Sequence, residues 1–392
     1  MAETKSAAQT AASADVGAQT AQAASSTNET TFSISTSRFF VDWLAAENVT
    51  LAVSTYQSGR LYLFGRDAQG RFAAFQRELD RAMGMSVDDK GFWIGTRHQL
   101  WRFGDATERG QDFNGFDRVC VPRRSWILGD IDIHDVKTDA AGRPIFVNTL
   151  YSCLATVTDE ANFLALWKPP FISRLAPEDR CHLNGLAMKD GRAAYVTAVS
   201  RTDIADGWRE GRPDQGVVVD VQKNAIVAEG LAMPHSPRWR NGELWVLNSG
   251  HGELGRINLT TGAFEPFVFL PGYLRGLTFS GNFALVGSSL PRRERTFKGL
   301  PYEQKLDDMK AAPRCGVFVV DLATGDVAHW LRFEGAITEL FDVGVFAGAR
   351  RAAAVGFNTE ELRRLMRVAI PAPAQGQAQP AAPTPPKDDV YG

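Results

Sequence analysis

Polar residues of the kinds that bind or transform small molecules recur at long, similar intervals along this 392-residue chain. Each leads a short segment of one form, in which a polar or small residue precedes a brief apolar run. The six leading residues are Gly84, His134, Asn184, His235, Arg275 and Glu339. Their spacings, by subtraction of these numbers, are 50, 50, 51, 40 and 64 residues. Because the segments are equivalent in the repeat, we expect the leading side chains to face one common place.

Two of the six histidines in the chain stand in this set, together with one arginine. A histidine serves as a general base near neutral pH, and an arginine holds a carboxylate or a developing oxyanion. His134 and His235 are therefore the predicted bases, and Arg275 is the predicted anion-binding residue. The chemistry that follows is hydrolysis or elimination on a small molecule that bears a carboxylate or a sugar.

The remaining polar members are predicted to bind the ligand rather than to transfer protons. Asn184 and Glu339 are expected to orient it, and Tyr56, which lies in an earlier hairpin, is expected to line the same site. The same nitrogen and oxygen donors also suit a divalent metal such as Zn, Mn or Ca. The predicted metal set is His134, Asn184, His235 and Glu339.

Each residue also has a structural interpretation. A single histidine is more often a hydrogen-bonded structural residue than a ligand, Asn184-Gly185 alone is a turn signal, and Arg275 and Glu339 could neutralise each other. The alternative function is a scaffold without catalysis, which binds a protein partner. Its contact elements would be the insertion Arg292–Arg314 and the Pro-rich C-terminal segment.

The elements that position these residues are short strands. Apolar runs of 4–8 residues, broken by turns such as Asp190-Gly191 and Asn241-Gly242, predict β-hairpins. Recurrence of one hairpin form every 40–50 residues or so predicts an all-β, single β-propeller of four-stranded blades. A β-sandwich or two separate β-domains would not explain this recurrence.

The predicted number of blades depends on which strand of the repeat is counted. Runs that resemble a second strand number seven, and they include Leu51–Thr55, which has no convincing first strand before it, and Ala352–Phe357. Runs that resemble a first strand number six. We therefore expect seven blades, with the stretch Phe32–Leu44 helping to close the ring, and six blades as the alternative.

Composition sets the boundaries of the folded part. Residues 1–30 are rich in Ala, Ser, Thr and Gln, residues 31–370 carry the repeats, and residues 371–392 are rich in Pro and Ala. Neither terminal segment has enough apolar side chains to offset the entropy of ordering, so both are expected to be disordered.

Charge and apolar content bear on partners and location. A net charge of −2 argues against a nucleic-acid partner. No apolar run has the length of a membrane span or of a secretory signal, so we expect a cytoplasmic protein with no membrane partner. The four cysteines are far apart in the sequence and are expected to be free thiols.

Two N-terminal runs resemble a bacterial conserved-hypothetical family. They are Phe40-Val41-Asp42-Trp43-Leu44 and Leu51-Ala52-Val53-Ser54-Thr55-Tyr56-Gln57-Ser58-Gly59-Arg60-Leu61. The later motifs His134-Asp135, Asn184-Gly185-Leu186-Ala187 and Glu339-Leu340-Phe341-Asp342-Val343 fit the same family. The resemblance covers about Ser37 to Phe357 and implies a fold, but no reaction is assigned to the family.

A looser resemblance is to the gluconolactonase and senescence-marker group of six-bladed propellers. Those hold a divalent metal on the channel floor with Glu, Asn and Asp side chains, to which Asn184 and Glu339 are similar. This chain departs from them because histidine stands at two ring positions and no third acidic ligand falls in register. Propeller polysaccharide lyases, which use His, Tyr and Arg, are a comparison at the level of fold.

Overall fold

The computed structural model describes residues 32–107, 110–291, 299–357, 359–366 and 368. The predicted terminal segments, residues 1–30 and 371–392, lie outside the described residues. Within the described part, the strands form six sheets of four or five strands. Each sheet is one blade of a β-propeller, and the six innermost strands contact one another in a closed ring.

The strands occupy equivalent positions from blade to blade, from blade 1 to blade 6. The innermost strands are β25 (Asp342–Ala347), β5 (Met85–Asp88), β9 (Ile133–Thr138), β13 (Leu183–Lys189), β17 (Pro234–Arg240) and β21 (Tyr273–Ser280). The second strands are β2 (Val49–Thr55), β6 (Gly91–Gly95), β10 (Pro144–Asn148), β14 (Arg192–Ala198), β18 (Glu243–Asn248) and β22 (Phe283–Ser289). The third strands are β3 (Arg60–Arg66), β7 (Gln99–Asp105), β11 (Cys153–Thr156), β15 (Gly216–Asp220), β19 (Glu253–Ile257) and β23 (Cys315–Asp321). The fourth strands are β4 (Phe72–Glu78), β8 (Arg118–Ile127), β12 (Leu164–Trp167), β16 (Ala225–Leu231), β20 (Phe264–Phe269) and β24 (Val327–Gly335).

Two blades carry a fifth strand at their outer edge. β1 (Phe32–Thr36) pairs antiparallel with β24, and β26 (Ala352–Ala354) pairs parallel with β8. Both additions cover backbone groups that an edge strand would otherwise expose. The helices are α1 (Phe40–Ala46), α2 (Pro301–Asp308) and α3 (Glu361–Arg364), with two single-turn 3₁₀ helices at Gly207–Arg209 and Ser249–His251.

The prediction of seven blades is wrong, and the stated alternative of six is what the structure shows. Leu51–Thr55 lacks a first strand in the preceding sequence because its partner, β25, comes from the other end of the chain. Ala352–Phe357 is not a second strand, since its first three residues form the outer strand β26. Both errors came from expecting each blade to be continuous in sequence.

Apolar side chains fill the spaces between neighbouring blades. Between blades 6 and 1, for example, Val317 and Leu285 pack with Val53 and Phe64, and α1 adds Trp43 to the same cluster. All four cysteines are buried and free, as predicted. No helix in the described residues is long and apolar enough to cross a bilayer.

If the C-terminal strand β25 closes the ring, removing its core side chain should destabilise the whole fold. Phe346 in this strand is 1% exposed and meets Phe92 of blade 2 edge-to-face at 5.8 Å. We expect Phe346→Ala to lower the free energy of unfolding by about 3–5 kcal/mol, as measured by urea denaturation.

The matched control is Phe39→Ala, which truncates a phenylalanine that is 57% exposed. This variant should change stability by less than about 0.5 kcal/mol. Equal effects of the two substitutions would show that β25 does not contribute to the closed ring.

Candidate functional site

The upper mouth of the channel, defined here as the end where the innermost strands begin, carries a repeated irregularity. In blades 3 to 6 the innermost strand has one more residue than the second strand at this level, which is the pattern of a β-bulge. His134, Asn184 and Arg275 lie within these bulges, and His235 immediately precedes one. A bulge redirects side chains from the regular alternation of a strand. The same local distortion therefore brings the equivalent residues of four blades into the channel.

His134 is held at both ring nitrogens. Nδ1 lies 2.8 Å from the Thr149 hydroxyl oxygen and 3.1 Å from the carbonyl oxygen of Asp132. Because the Thr149 hydroxyl itself donates to the Leu183 carbonyl at 2.6 Å, it accepts from His134, which places the proton on Nδ1. Nε2 then accepts a hydrogen bond from Nη2 of Arg275 at 3.0 Å, across the channel.

His235 is held in the same tautomer by a different set of partners. Its Nδ1 donates to the carbonyl oxygen of Met233 at 2.8 Å, so Nε2 carries the free electron pair. Thr197 donates to Oδ1 of Asn184 at 2.7 Å, which turns the amide nitrogen of Asn184 toward His235. That nitrogen lies 3.4 Å from Nε2 of His235, which is a long hydrogen bond.

Arg275 is the cation at the centre of this group. Its Nη1 donates to Oε1 of Glu339 at 3.2 Å, and its guanidinium carbon lies 4.3 Å from the ring centre of Phe341. Its Nε is buried and has no hydrogen-bond partner in the described part of the chain. Glu339 comes from the connection that precedes β25, three residues before that strand begins.

Burial keeps both histidines of the channel uncharged. Desolvation lowers the pKa of His134 well below 6.5, and the neighbouring His182 and Arg275 lower it further. The pKa of His235 is also well below 6.5, chiefly because of burial and then because of Arg275. The expectation that these imidazoles titrate near neutral pH is therefore wrong, and both are neutral bases at pH 7.

A second layer of polar side chains lies across the channel, below the group formed by His134, Asn184, His235, Arg275 and Glu339. This ionic layer consists of Asp135 and Lys137 of β9, Arg238 of β17 and Asp342 of β25. Asp135 lies 2.7 Å from Lys137 and 2.6 Å from Arg238, and Asp342 accepts from the Met85 amide at 2.9 Å. Burial alone would raise the pKa of Asp135, but Arg238 and Lys137 bring it below its usual value. Asp135, which directly follows His134 in the sequence, belongs to this layer and not to the group at the upper mouth.

Two insertions cover the upper mouth. Both connect a second strand to a third strand, in blades 4 and 6, so their described parts, residues 199–215 in the first and residues 290–291 and 299–314 in the second, lie at this end of the channel. Trp208 from the first insertion and Tyr302 from α2 in the second are buried together with Tyr273. The Tyr273 ring lies 5.7 Å from that of His235.

The structure brings the five main predicted residues, His134, Asn184, His235, Arg275 and Glu339, together at this mouth. Their exposed fractions lie between 2% and 7%, so they form a covered cluster rather than an open pocket. Tyr56 does not join them directly, since its ring stacks on Phe341 at 5.4 Å, on the outer side of the cluster. Phe341, Trp208 and Tyr273 were missed because an aromatic side chain in a connection or strand carries no sequence signal that separates it from core.

The predicted metal set does not fit a metal in this geometry. Nε2 of His134 faces a guanidinium, and Asn184 turns its amide nitrogen, not its oxygen, toward His235. Among the described residues, no group of three or more His, Cys, Asp or Glu side chains is arranged to hold a metal ion. We therefore derive no chemical step through a metal.

Fold and site together define a six-bladed β-propeller with a buried layer of neutral histidines and one arginine at the upper channel mouth. The chain belongs to the family described as Domain of unknown function (DUF4915), which matches residues 38–355. This confirms the resemblance to an uncharacterised propeller family. No curated protein matches the chain.

Several solved structures are similar to this one. The nidogen/laminin complex matches with a TM-score of 0.48 and 12% identity, over 76% of this chain and 99% of that chain. Virginiamycin B lyase from Staphylococcus aureus matches with a TM-score of 0.36 and 10% identity, over 77% and 99%. The computationally designed Ika8 protein matches with a TM-score of 0.36 and 10% identity, over 75% and 90%. At these identities and scores, nothing about function follows for this chain.

Neutral buried histidines predict a specific dependence of stability on pH. Between the lowered pKa of folded His235 and the ordinary value near 6.5, the unfolded chain binds more protons than the folded chain. Stability therefore falls as pH drops below about 6.5, by up to about 1.4 kcal/mol per pH unit for each such histidine. His235→Asn, whose amide nitrogen can replace Nδ1 as donor to Met233, should reduce this slope by about that amount in urea denaturation between pH 6.5 and 5.

The control is His98→Asn, since His98 is exposed. Its slope should equal that of the wild type. A wild-type slope that His235→Asn leaves unchanged would show that His235 is protonated in the folded protein.

Proposed function

We propose that the upper channel mouth binds a small carboxylate-bearing molecule, such as a sugar acid, and acts on it by general-base catalysis as a lyase or hydrolase. Arg275 is the carboxylate-binding residue, His235 is the base, and His134 positions Arg275. Asn184 and Glu339 orient the ligand.

The contrast between the two polar layers carries this proposal. In the ionic layer, both carboxylates and both cations have partners. At the upper mouth, by contrast, several buried polar atoms lack a hydrogen bond within the described residues. They include Nε of Arg275, Oδ1 of Asp132, Nδ2 of Asn148 and Oδ1 of Asp179. An unpaired buried polar group costs about 1–3 kcal/mol. A layer that only stabilised the ring would gain nothing from leaving these atoms unpaired, whereas a site for water or a polar ligand would.

The hydrogen bonds favour different roles for the two histidines. Nε2 of His134 is engaged by Arg275, so this histidine is best suited to hold the guanidinium in place. Nε2 of His235 has only the long contact to Asn184, so its electron pair is the more available one. A guanidinium that binds a carboxylate also stabilises the negative charge that develops when a proton leaves the adjacent carbon.

The alternative of a protein-binding scaffold has less support. Its proposed contact element, Arg292–Arg314, includes residues 292–298, which lie outside the described residues, and α2 packs on the propeller rather than projecting from it. Tyr302 is buried, and Lys305 forms an ion pair with Glu253 at 2.8 Å. The Pro-rich C-terminal segment also lies outside the described residues.

Carboxylate binding at Arg275 predicts thermal stabilisation by small acids. In a thermal-shift series with malonate, lactate, D-glucuronate and D-galacturonate, at least one acid should raise the midpoint. A ligand at a hundredfold excess over its Kd adds about 2.7 kcal/mol. Arg275→Gln should abolish this stabilisation, and Arg275→Lys, which keeps the charge without the planar fork, should reduce it.

The matched control is Arg240→Gln, which removes a guanidinium at the opposite end of the channel, where it donates to the Gly281 carbonyl. This variant should keep the full response to the acids. Equal loss in the Arg240 and Arg275 variants, or no stabilisation of the wild type by any of the acids, would contradict a carboxylate site at the upper mouth.

A further inference from the structure

A third histidine, His182, lies beside the two that the proposed function uses. It comes from the connection between blades 3 and 4, just before β13. Its ring centre lies 4.8 Å from that of His134 in an edge-to-face arrangement, and it stacks on the Trp208 indole at 4.1 Å. The insertion that covers the mouth thus also fixes the plane of this imidazole.

His182 differs from the other two histidines in the partner of its Nδ1. The hydrogen bonds at Nδ1 of His134 and His235 are to carbonyl or hydroxyl oxygens, and Oδ2 of Asp132 lies 3.6 Å from Nδ1 of His134, beyond hydrogen-bond distance. Nδ1 of His182, by contrast, lies 2.8 Å from Oδ2 of Asp179. A carboxylate in this position orients the ring and stabilises the imidazolium when the ring gains a proton. In the described part of the chain, no hydrogen bond engages Nε2 of His182. This nitrogen can therefore exchange a proton with a ligand or with water.

The backbone holds this pair in an uncommon conformation. Asp179 and His182 both have positive φ, at 40° and 49°. Residues other than glycine keep such angles only where the surroundings enforce them, and they concentrate at functional sites. Arg180, between them, is fixed by ion pairs to Asp203 at 2.6 Å and to Glu178 at 2.7 Å.

We propose that His182, oriented by Asp179, is the proton donor of this site and complements His235 as the base. This inference rests on the proposed function. In an elimination, the proton on the carbon next to the carboxylate moves to Nε2 of His235, and its bonding electrons form the new C=C bond. The leaving oxygen keeps the electrons of the bond that breaks and takes a proton from Nε2 of His182. The imidazolium of His235 and the neutral His182 then exchange protons with water, so the cycle consumes nothing besides the substrate.

Several charged or titratable groups act on His182 from the elements packed around it. They are Asp179 on its own connection, Asp132, His134, His235, Arg275, and Arg209 on the far face of Trp208. Burial and the nearby Arg275 lower the pKa of His134 and of His235 well below 6.5, so neither of these two histidines accounts for a change of charge in mildly acidic solution. Burial raises the pKa of Asp132, so this carboxyl must be tested separately.

The experiment follows protonation directly in the full chain, by ¹⁵N NMR of protein with labelled histidine, without any ligand. At pH 6 the ring nitrogens of His182 should show the imidazolium signal, assigned by its loss in His182→Gln. Asp179→Asn should remove most of this signal at the same pH. Asp132→Asn should leave the imidazolium signal of His182 unchanged. A neutral His182 in the wild type at pH 6, or an unchanged signal in Asp179→Asn, would overturn the proposal.

A binding measurement separates this proposal from the proposed function. With D-galacturonate as the probe in calorimetric titration, the wild type should bind several-fold more tightly at pH 6 than at pH 8. His182→Gln should bind with equal affinity at both pH values, and His98→Gln, which removes an exposed imidazole, should behave as the wild type does. Binding that does not depend on pH in the wild type would reject His182 as the proton donor. A complete lack of binding would count against the proposed function, and the NMR result would still decide whether His182 carries the proton.

Discussion

Antiparallel pairing of β2 with β25 is the constraint on which the rest of the structure depends. Six residue pairs, from Val49↔Ala347 to Ser54↔Asp342, join the two ends of the folded chain in one blade. The Asp342 amide donates to the Ser54 hydroxyl, which in turn donates to the Met83 carbonyl of the connection leading to blade 2. Without this pairing, two strand edges would be open and the innermost strands would have no common axis. The channel, and hence the convergence of the polar residues, exists only because the ring is closed.

Closure of the ring also allows polar residues of different blades to contact one another across the channel. Arg275 of blade 6 reaches His134 of blade 3 across the channel, and Arg238 of blade 5 reaches Asp135 of blade 3. These contacts join residues 141 and 103 positions apart in sequence. A change in the number of blades would alter the width of the channel and separate such pairs.

The sequence predicted the fold class and the convergence of the main polar residues at the upper mouth, because both depend on the repeat. Residues at one position of each repeat must meet in a ring, so equivalence in sequence was enough to select His134, Asn184, His235 and Arg275. Blade number was not predictable in the same way, since the blade that contains β25 is split between the two ends of the chain. The charge state of the histidines also had no sequence signal, because it depends on burial by side chains from other blades. Trp208 belongs to a connection of irregular length, where the repeat does not predict which residues are equivalent.

The ionic layer has a consequence for traffic through the ring. Asp135, Lys137, Arg238 and Asp342 form ion pairs across the axis, so charged side chains occupy the channel between its two mouths. A ligand of the proposed site would therefore have to enter and leave by the same mouth. A small molecule or the terminus of a chain meets this requirement, whereas a polymer threaded through the ring does not.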